Sequence, residues 1–318
     1  MPKSLAAVAA ATVAALAIAA PPAFAGETPE PVTAHGLVAE VYTPAGPAIR
    51  HPAILVIGGS EGGLEGASGE ARLLAKQGYV TMALAYFAAP GLPEQLTNLP
   101  LEYFGTALDA LRARPDVDPK RVGLIGTSKG GEGALLIASK YPEVKVVVVG
   151  VPSSVAWQGI NTKNYADPSG SWTEKGKPVP FLPYDASGGF DPSNFMKSIH
   201  DMYALSLTKV DAHPDAVIAV ERIDGPVMLV CGESDALWPS CPMSQAVAAR
   251  LKAKGFKHQV RLLAYPNAGH AAFGPPVPAD SPRVGQFPMY GGDIPGNLAA
   301  RADGWAQATA FLAAALKP

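Results

Sequence analysis

A run such as Val144 to Val149, with no polar alternation, fits best in the interior of a parallel β-sheet, where helices cover both faces. The rest of the chain repeats that theme. Short apolar runs at Ala53 to Ile57, Tyr79 to Leu84, Arg121 to Ile125, Pro226 to Cys231 and His258 to Ala264 read as strands. Helix-compatible stretches lie between or after them at Glu70 to Gln77, Leu101 to Arg114, Gly130 to Lys140, Pro242 to Lys252 and Ala299 to Leu316. Leu37 to Tyr42 reads as a first strand at the sheet edge, preceded by a loose stretch from Gly26 to Thr33. This alternation predicts the α/β class, a mostly parallel central sheet flanked by helices, as one domain over 26–318. Composition allows such a core, with 48% apolar and 16% charged residues among 318. The 25 basic and 27 acidic side chains form no run of like charge, so the electrostatic footprint needed for nucleic acid is missing.

Two segments interrupt the alternation. Residues 152–225 follow the Val144 to Val149 strand as a cap-like excursion over the sheet edge, rich in Pro and Gly. It carries Trp157, Tyr165, Trp172, Phe181, Tyr184, Phe190, Phe195 and Tyr203. Pro266 to Asn297 is too long for an ordinary connector and reads as a structured loop beside a site.

The amino terminus has the form of an address. Lys3, the apolar stretch from Leu5 to Ala20 and the small-x-small site Ala23-Phe24-Ala25 read as a secretory signal peptide over 1–25. The apolar run is shorter than the ~20 residues a bilayer requires and stops at Pro21-Pro22. The expectation is an exported protein, periplasmic or secreted, with no membrane span after cleavage. In an oxidising compartment Cys231 and Cys241 are near enough in sequence to bridge, with two unpaired thiols as the alternative. No His or Cys stands beside them at ligand spacing, and no metal or other cofactor is expected.

The chemistry concentrates where the strand Arg121 to Ile125 meets Gly126-Thr127-Ser128-Lys129-Gly130 and a helix follows at once. This is the G-x-S-x-G pattern in the strand-turn-helix context it requires, with Ser128 on an exposed elbow at a helix N-terminus. A serine hydroxyl needs a base to take its proton and a carboxylate to orient that base. In α/β-hydrolases the chain order is Ser, acid, His. His270, in a loop past the carboxyl end of the His258 to Ala264 strand, is the base expected from that order; His258 begins the strand at the wrong edge. His200 and His213 fall in the excursion as surface or substrate-lining residues. Gly232-Glu233-Ser234-Asp235 follows the Pro226 to Cys231 strand, and Asp235 is preferred as the acid, with Glu233 behind it. Glu132, one turn into the helix, reads as structural. A tetrahedral intermediate needs two preorganised N–H donors. Lys129 supplies one backbone N–H, and Ser60 or Glu61, in the Gly58-Gly59-Ser60-Glu61-Gly62-Gly63 loop, supplies the other. Trp157 and Phe181 of the excursion, with Trp238 near the site, are expected to meet the acyl group.

With these candidates in hand, the chain resembles the C-terminal catalytic domain of the acyl-CoA thioester hydrolase and bile acid-CoA:amino acid N-acyltransferase family. That domain is itself similar to dienelactone hydrolases. The resemblance rests on Gly58-Gly59-Ser60, Leu99-Pro100-Leu101-Glu102-Tyr103-Phe104, the segment Gly126 to Glu132, the segment Val151 to Gly159, Asp235-Ala236-Leu237-Trp238-Pro239-Ser240 and the segment Tyr265 to His270. It implies an α/β-hydrolase fold with Ser128, Asp235 and His270 as nucleophile, acid and base, acting on acyl thioesters through an acyl-enzyme. Intracellular animal members look like two-domain proteins, and Gly26 to Arg50 leave no room for their immunoglobulin-like module. The N-acyltransferases are similar but use a cysteine nucleophile, so Ser128 implies hydrolysis. Export points instead to oxygen esters, which makes a carboxylesterase the alternative; a non-catalytic binding protein, the second alternative, predicts a damaged triad.

Overall fold

A computed structural model describes residues 28–45 and 49–317. The signal peptide expected over 1–25 lies outside the described residues. Along the chain come β1 (Glu30–Val32), β2 (Val38–Tyr42), β3 (His51–Ile57), α1 (Glu65–Ala75), β4 (Val80–Ala85), β5 (Leu99–Pro100) and α2 (Leu101–Arg112). Then follow β6 (Val117–Thr127), α3 (Lys129–Lys140), β7 (Val144–Gly150), β8 (Trp172–Glu174), β9 (Lys177–Pro178) and α4 (Phe195–Leu207). The chain closes with β10 (Val227–Gly232), α5 (Ser240–Ala253), β11 (Val260–Tyr265) and α6 (Ile294–Leu316).

Eight strands form one sheet in the order β1-β2-β4-β3-β6-β7-β10-β11, parallel from β4 to β11. The two-residue period of the strands sorts their side chains between two cores. Ala53, Leu55 and Ile57 of β3 face the core beneath α2, α3 and α5, while Ile54 and Val56 face the core beneath α1 and α6. β7 and β10 alternate in the same way, which is why neither shows a polar residue every second position.

The edge differs from the sequence expectation. Glu30–Val32 pairs antiparallel with Ala39–Val41, so β2 is the second strand in and the supposedly loose terminus supplies the edge. Three residues with a central proline carry no strand signal, yet an edge position tolerates a missing N–H. The excursion is also built. β8 pairs with β5 and β9 in a small second sheet, and Val155, Trp157, Leu182, Tyr203 and Ala216 pack with Trp238 and Met243 into a satellite core. Among the described residues no helix is long and apolar enough to cross a membrane.

Since β3, β6, β10 and β11 run parallel, the segments that follow them emerge at one sheet edge, where sites in open α/β sheets lie. Those segments are the Gly58 to Gly63 loop, Ser128, the Glu233-Asp235 turn and the loop bearing His270. On one face of the same sheet, Glu70 of α1 is buried near Arg301 of α6, and burial pushes its carboxyl from 4.5 up to about 7, opposed by the Arg301 charge and reinforced by the Glu61 carboxylate. The folded chain therefore keeps a proton that the unfolded chain has lost between these values, so stability falls as pH rises from 4.5 through 7. The whole effect amounts to about 3 kcal/mol at most. Glu70→Gln should flatten that slope, and thermal midpoints at pH 5 and pH 8 measure it; an unchanged slope would refute the assignment.

Candidate active site

Ser128 stands between the last residue of β6 and the first of α3 with φ 57° and ψ −122°, a conformation disfavoured for any residue with a Cβ. The turn is possible because its neighbours lack one. A Cβ on Gly126 would lie 2.2 Å from the Gly130 carbonyl oxygen, and one on Gly130 would lie 2.1 Å from that of Gly58. The Ser128 amide donates to the Gly150 oxygen at 2.9 Å, pinning the elbow to the end of β7.

The structure brings three of the expected residues together. Ser128 Oγ is 2.9 Å from His270 Nε2, and His270 Nδ1 is 2.9 Å from Asp235 Oδ2. Asp235 is almost wholly buried, and its oxygens are taken up on every side. Oδ2 also accepts from Ser240 Oγ at 2.6 Å, and Oδ1 accepts from the Leu237 and Trp238 amides at 2.9 and 3.2 Å. An acceptor carboxylate assigns the proton to Nδ1 and leaves Nε2 to accept from the serine hydroxyl. Glu233 is exposed and makes no contact with the imidazole, and His258 lies at the opposite sheet edge, 3.6 Å from Asp224. His200 and His213 stay in the excursion, the first 3.6 Å from Asp201 and the second on the lining of a cavity that does not include Ser128.

Pro266 to Asn297 is the brace for this arrangement. The Tyr290 oxygen accepts from both the His270 and Ala236 amides, at 2.9 and 3.1 Å, clamping the loop of His270 to that of Asp235. Buried Asn297 accepts from the Gly269 amide and donates to the oxygens of Gly291 and Asp293. Arg301 donates to the oxygens of Ala271, Phe273 and Pro275, and burial lowers its guanidinium to about 10.

The Lys129, Ser60 and Glu61 amides donate to no described residue, while the Gly59 amide is occupied by Glu61 Oε1 at 2.8 Å. A Cβ on Gly59 would lie 3.1 Å from that of Ser128, so this loop runs beside the serine. Tyr86, the first residue after β4, directs its hydroxyl at the oxygens of both Gly58 and Gly59 at 2.9 Å. Burial raises the Tyr86 hydroxyl well above its ordinary pKa, which keeps it a donor.

Sequence reasoning missed a buried ion pair next to Ser128. Lys129 Nζ lies 2.6 Å from Glu132 Oε2 and donates to Ser171 Oγ at 2.8 Å. Glu132 Oε1 accepts from the Trp157 amide at 3.0 Å and from the Trp172 indole at 2.7 Å. A Lys-Glu pair at i,i+3 on a helix face of Gly130, Gly131, Gly133 and Ala134 is the signal that was available, since only a buried face is so bare.

The expected acyl-contact residues need correction. Trp157 is fully buried, with its indole donating to Ser153 Oγ at 2.8 Å and its ring packed on Tyr184 and Tyr203. It fills the excursion's core and offers no surface to a substrate. Trp238 is likewise buried; it donates to the Val151 oxygen and sets its ring edge-on to His270 at 5.8 Å, shielding the imidazole. Phe181 covers Gly170 and lines a cavity of about 270 Å3 with residues 212–216, a lining that does not include Ser128. Tyr165, Phe190 and Phe195 are exposed.

Cys231 and Cys241 are joined by a disulfide across the segment that carries Asp235. A bridge closing a loop of this size contributes roughly 3 kcal/mol in the chain-entropy picture. Thiol titration of the denatured, unreduced protein should find no free sulfhydryl; two would refute the bridge. Reduction should lower the melting temperature and loosen Asp235 together.

The sheet order, the elbow and the site at the carboxyl edge define an α/β-hydrolase fold. Solved structures with the same architecture include a putative dienelactone hydrolase from Klebsiella pneumoniae, at TM-score 0.56 and 16% identity over 90% of this chain and 98% of that one. The 2,6-dihydroxy-pseudo-oxynicotine hydrolase aligns at TM-score 0.53 and 16% identity, over 92% of this chain and 68% of that one. Residues 99–318 match the family described as BAAT / acyl-CoA thioester hydrolase C terminal, and the chain belongs to that family, as its motifs implied. Mouse (Mus musculus) acyl-coenzyme A thioesterase 1 is 34% identical over 264 residues, 82% of this chain, and mouse mitochondrial acyl-coenzyme A thioesterase 2 is 33% identical over 269 residues, again 82%. The matched stretch spans 59% and 54% of those relatives, less than two thirds of either.

Proposed function

We propose that the protein is a serine hydrolase of acyl thioesters. The observation that carries this is the hydrogen-bonded line from Ser128 Oγ through His270 to buried Asp235, beside amide hydrogens with no partner among the described residues. His270 Nε2 takes the Ser128 proton as Oγ bonds to the acyl carbon. The oxyanion so formed is met by the Lys129 N–H and by that of Ser60 or Glu61. Collapse breaks the carbon–sulfur bond, His270 returns its proton to the departing thiolate, and water then repeats the sequence to release the acid and regenerate Ser128. The thioesterase names of the relatives support the bond type. Export as a periplasmic or secreted protein is part of the proposal, supported by the sequence of residues 1–25 and by the Cys231–Cys241 bridge.

That bridge also favours a second reading, a carboxylesterase that meets oxygen esters outside the cell. Matched acyl-CoA thioesters and oxygen esters of equal chain length separate the two, with fluorophosphonate labelling of Ser128 as the check on mechanism. Faster thioester turnover is expected at each chain length. The reverse ratio would make it a carboxylesterase, and an unlabelled Ser128 with no turnover would leave a binding protein on a hydrolase fold. Sequencing the amino terminus of the exported protein should begin at Gly26.

A further inference from the structure

The proposed oxyanion hole draws its two amides from separate elements, the start of α3 and the loop after β3. Hydrogen bonds within each element do not fix one against the other. One side chain touches the supports of both. Trp172, which opens β8 in the excursion, is buried and donates its indole N–H to Glu132, the ion-pair partner of Lys129. The Lys129 ammonium lies 5.8 Å over its ring, and a Cβ on Gly133 would meet the ring edge at 3.0 Å. On its other side the ring lies 5.9 Å from that of Tyr86, whose hydroxyl holds the Gly58 and Gly59 oxygens. The backbone of Trp172 is itself fixed, registered against Leu99 of β5 and accepting from the Val179 amide at 2.9 Å.

We infer that Trp172 is a positioning residue for the oxyanion hole, setting the Lys129 amide through Glu132 and the Ser60–Glu61 loop through Tyr86. The inference rests on the hydrolase reading above. It assigns the excursion a task in the chemistry besides covering the sheet: its β8 strand anchors the ring against which both donor-bearing segments are registered. Preorganised donors act only where the charge develops, so a small relative shift of the two is felt in the transition state and hardly in the bound substrate.

Trp172→Phe keeps a ring and deletes the indole donor; Tyr86→Phe deletes one hydroxyl. Each should lower kcat ~10- to 100-fold with KM changed by no more than about twofold, a fraction of what the loss of a whole oxyanion donor costs. An alkylboronic acid, which forms a tetrahedral adduct on Ser128, should bind more weakly by the same ratio as kcat falls. The double variant should lose less than the product of the single losses, because both act on one arrangement. Phe104→Leu is the packing control, since its ring touches both Tyr86 and Trp172 but makes no polar contact. It should lower the melting temperature and leave kcat near that of the parent. Folded Trp172→Phe with unchanged kcat, a loss confined to KM, or an equal kcat loss in Phe104→Leu would each overturn the inference. Should Trp172→Phe fail to fold, Tyr86→Phe carries the same test. Absence of fluorophosphonate labelling at Ser128 in the parent protein would instead sink the hydrolase reading, and this inference with it.

Discussion

Ser128→Ala is expected to fold with an unchanged melting temperature and to lose roughly four to six orders of magnitude in kcat. The two halves of that result have separate causes. Among the described residues the Ser128 hydroxyl bonds only to His270, so no element of the fold depends on it, and its strained backbone angles are fixed by the Gly126 and Gly130 contacts, which alanine leaves in place. Turnover by the proposed mechanism, however, needs the Ser128 oxygen to form the acyl-enzyme. His270→Ala should be about as damaging, and the double variant no worse than either single one, because a proton acceptor without its nucleophile contributes nothing. Steady-state kinetics with thermal melts of all three proteins check this. Near-normal turnover in Ser128→Ala, or losses that multiply in the double variant, would mean that these side chains do not act as one unit.

Much of this arrangement is legible in the chain before any coordinates. Ser128, Asp235 and His270 can be found because each lies just past a short apolar run, and parallel strands deliver such positions to one edge. The sheet is legible for a related reason, since Val144 to Val149 tolerates no other surroundings. What escapes is what depends on a distant partner. Glu132 looks structural in sequence, and it is structural, but its carboxylate is answered by the Trp157 amide and the Trp172 indole from the excursion, which no local pattern brings to it. Tyr86 ends an apolar run like any core tyrosine, and only the fold aims its hydroxyl at Gly58 and Gly59. Aromatic content likewise announces that the excursion packs on something without saying which way a ring faces. Trp157 turned inward and Phe190 outward, although both are large apolar residues in one Pro-rich segment.

The Lys129–Glu132 pair should be costly to break from either side and cheap to remove whole. Lys129→Met leaves a buried carboxylate facing two N–H donors, and Glu132→Gln leaves a buried ammonium with only the Ser171 hydroxyl and the face of the Trp172 ring to answer it. Each single change should destabilise by about 3 kcal/mol or more, whereas Lys129→Met/Glu132→Gln should recover most of that loss. The glutamine retains an acceptor for the indole and the amide, and the methionine fills the volume of the lysine stem. Burial already pushes the Glu132 carboxyl up and the Lys129 ammonium down from their ordinary values, each held back by the other. With its partner gone, each group shifts further, and the two single variants must then respond to pH in opposite directions. In Lys129→Met the folded carboxyl pKa stands above the unfolded one, so stability is greatest in acid and falls as pH rises. In Glu132→Gln the folded ammonium pKa stands below the unfolded one, so stability is lowest in acid and grows as pH rises toward the ordinary lysine range. Urea midpoints across neutral pH, with the parent and the double variant as references, read both slopes. Parallel slopes in the two single variants, or a double variant whose loss equals the sum of theirs, would show that the pair carries no buried charge.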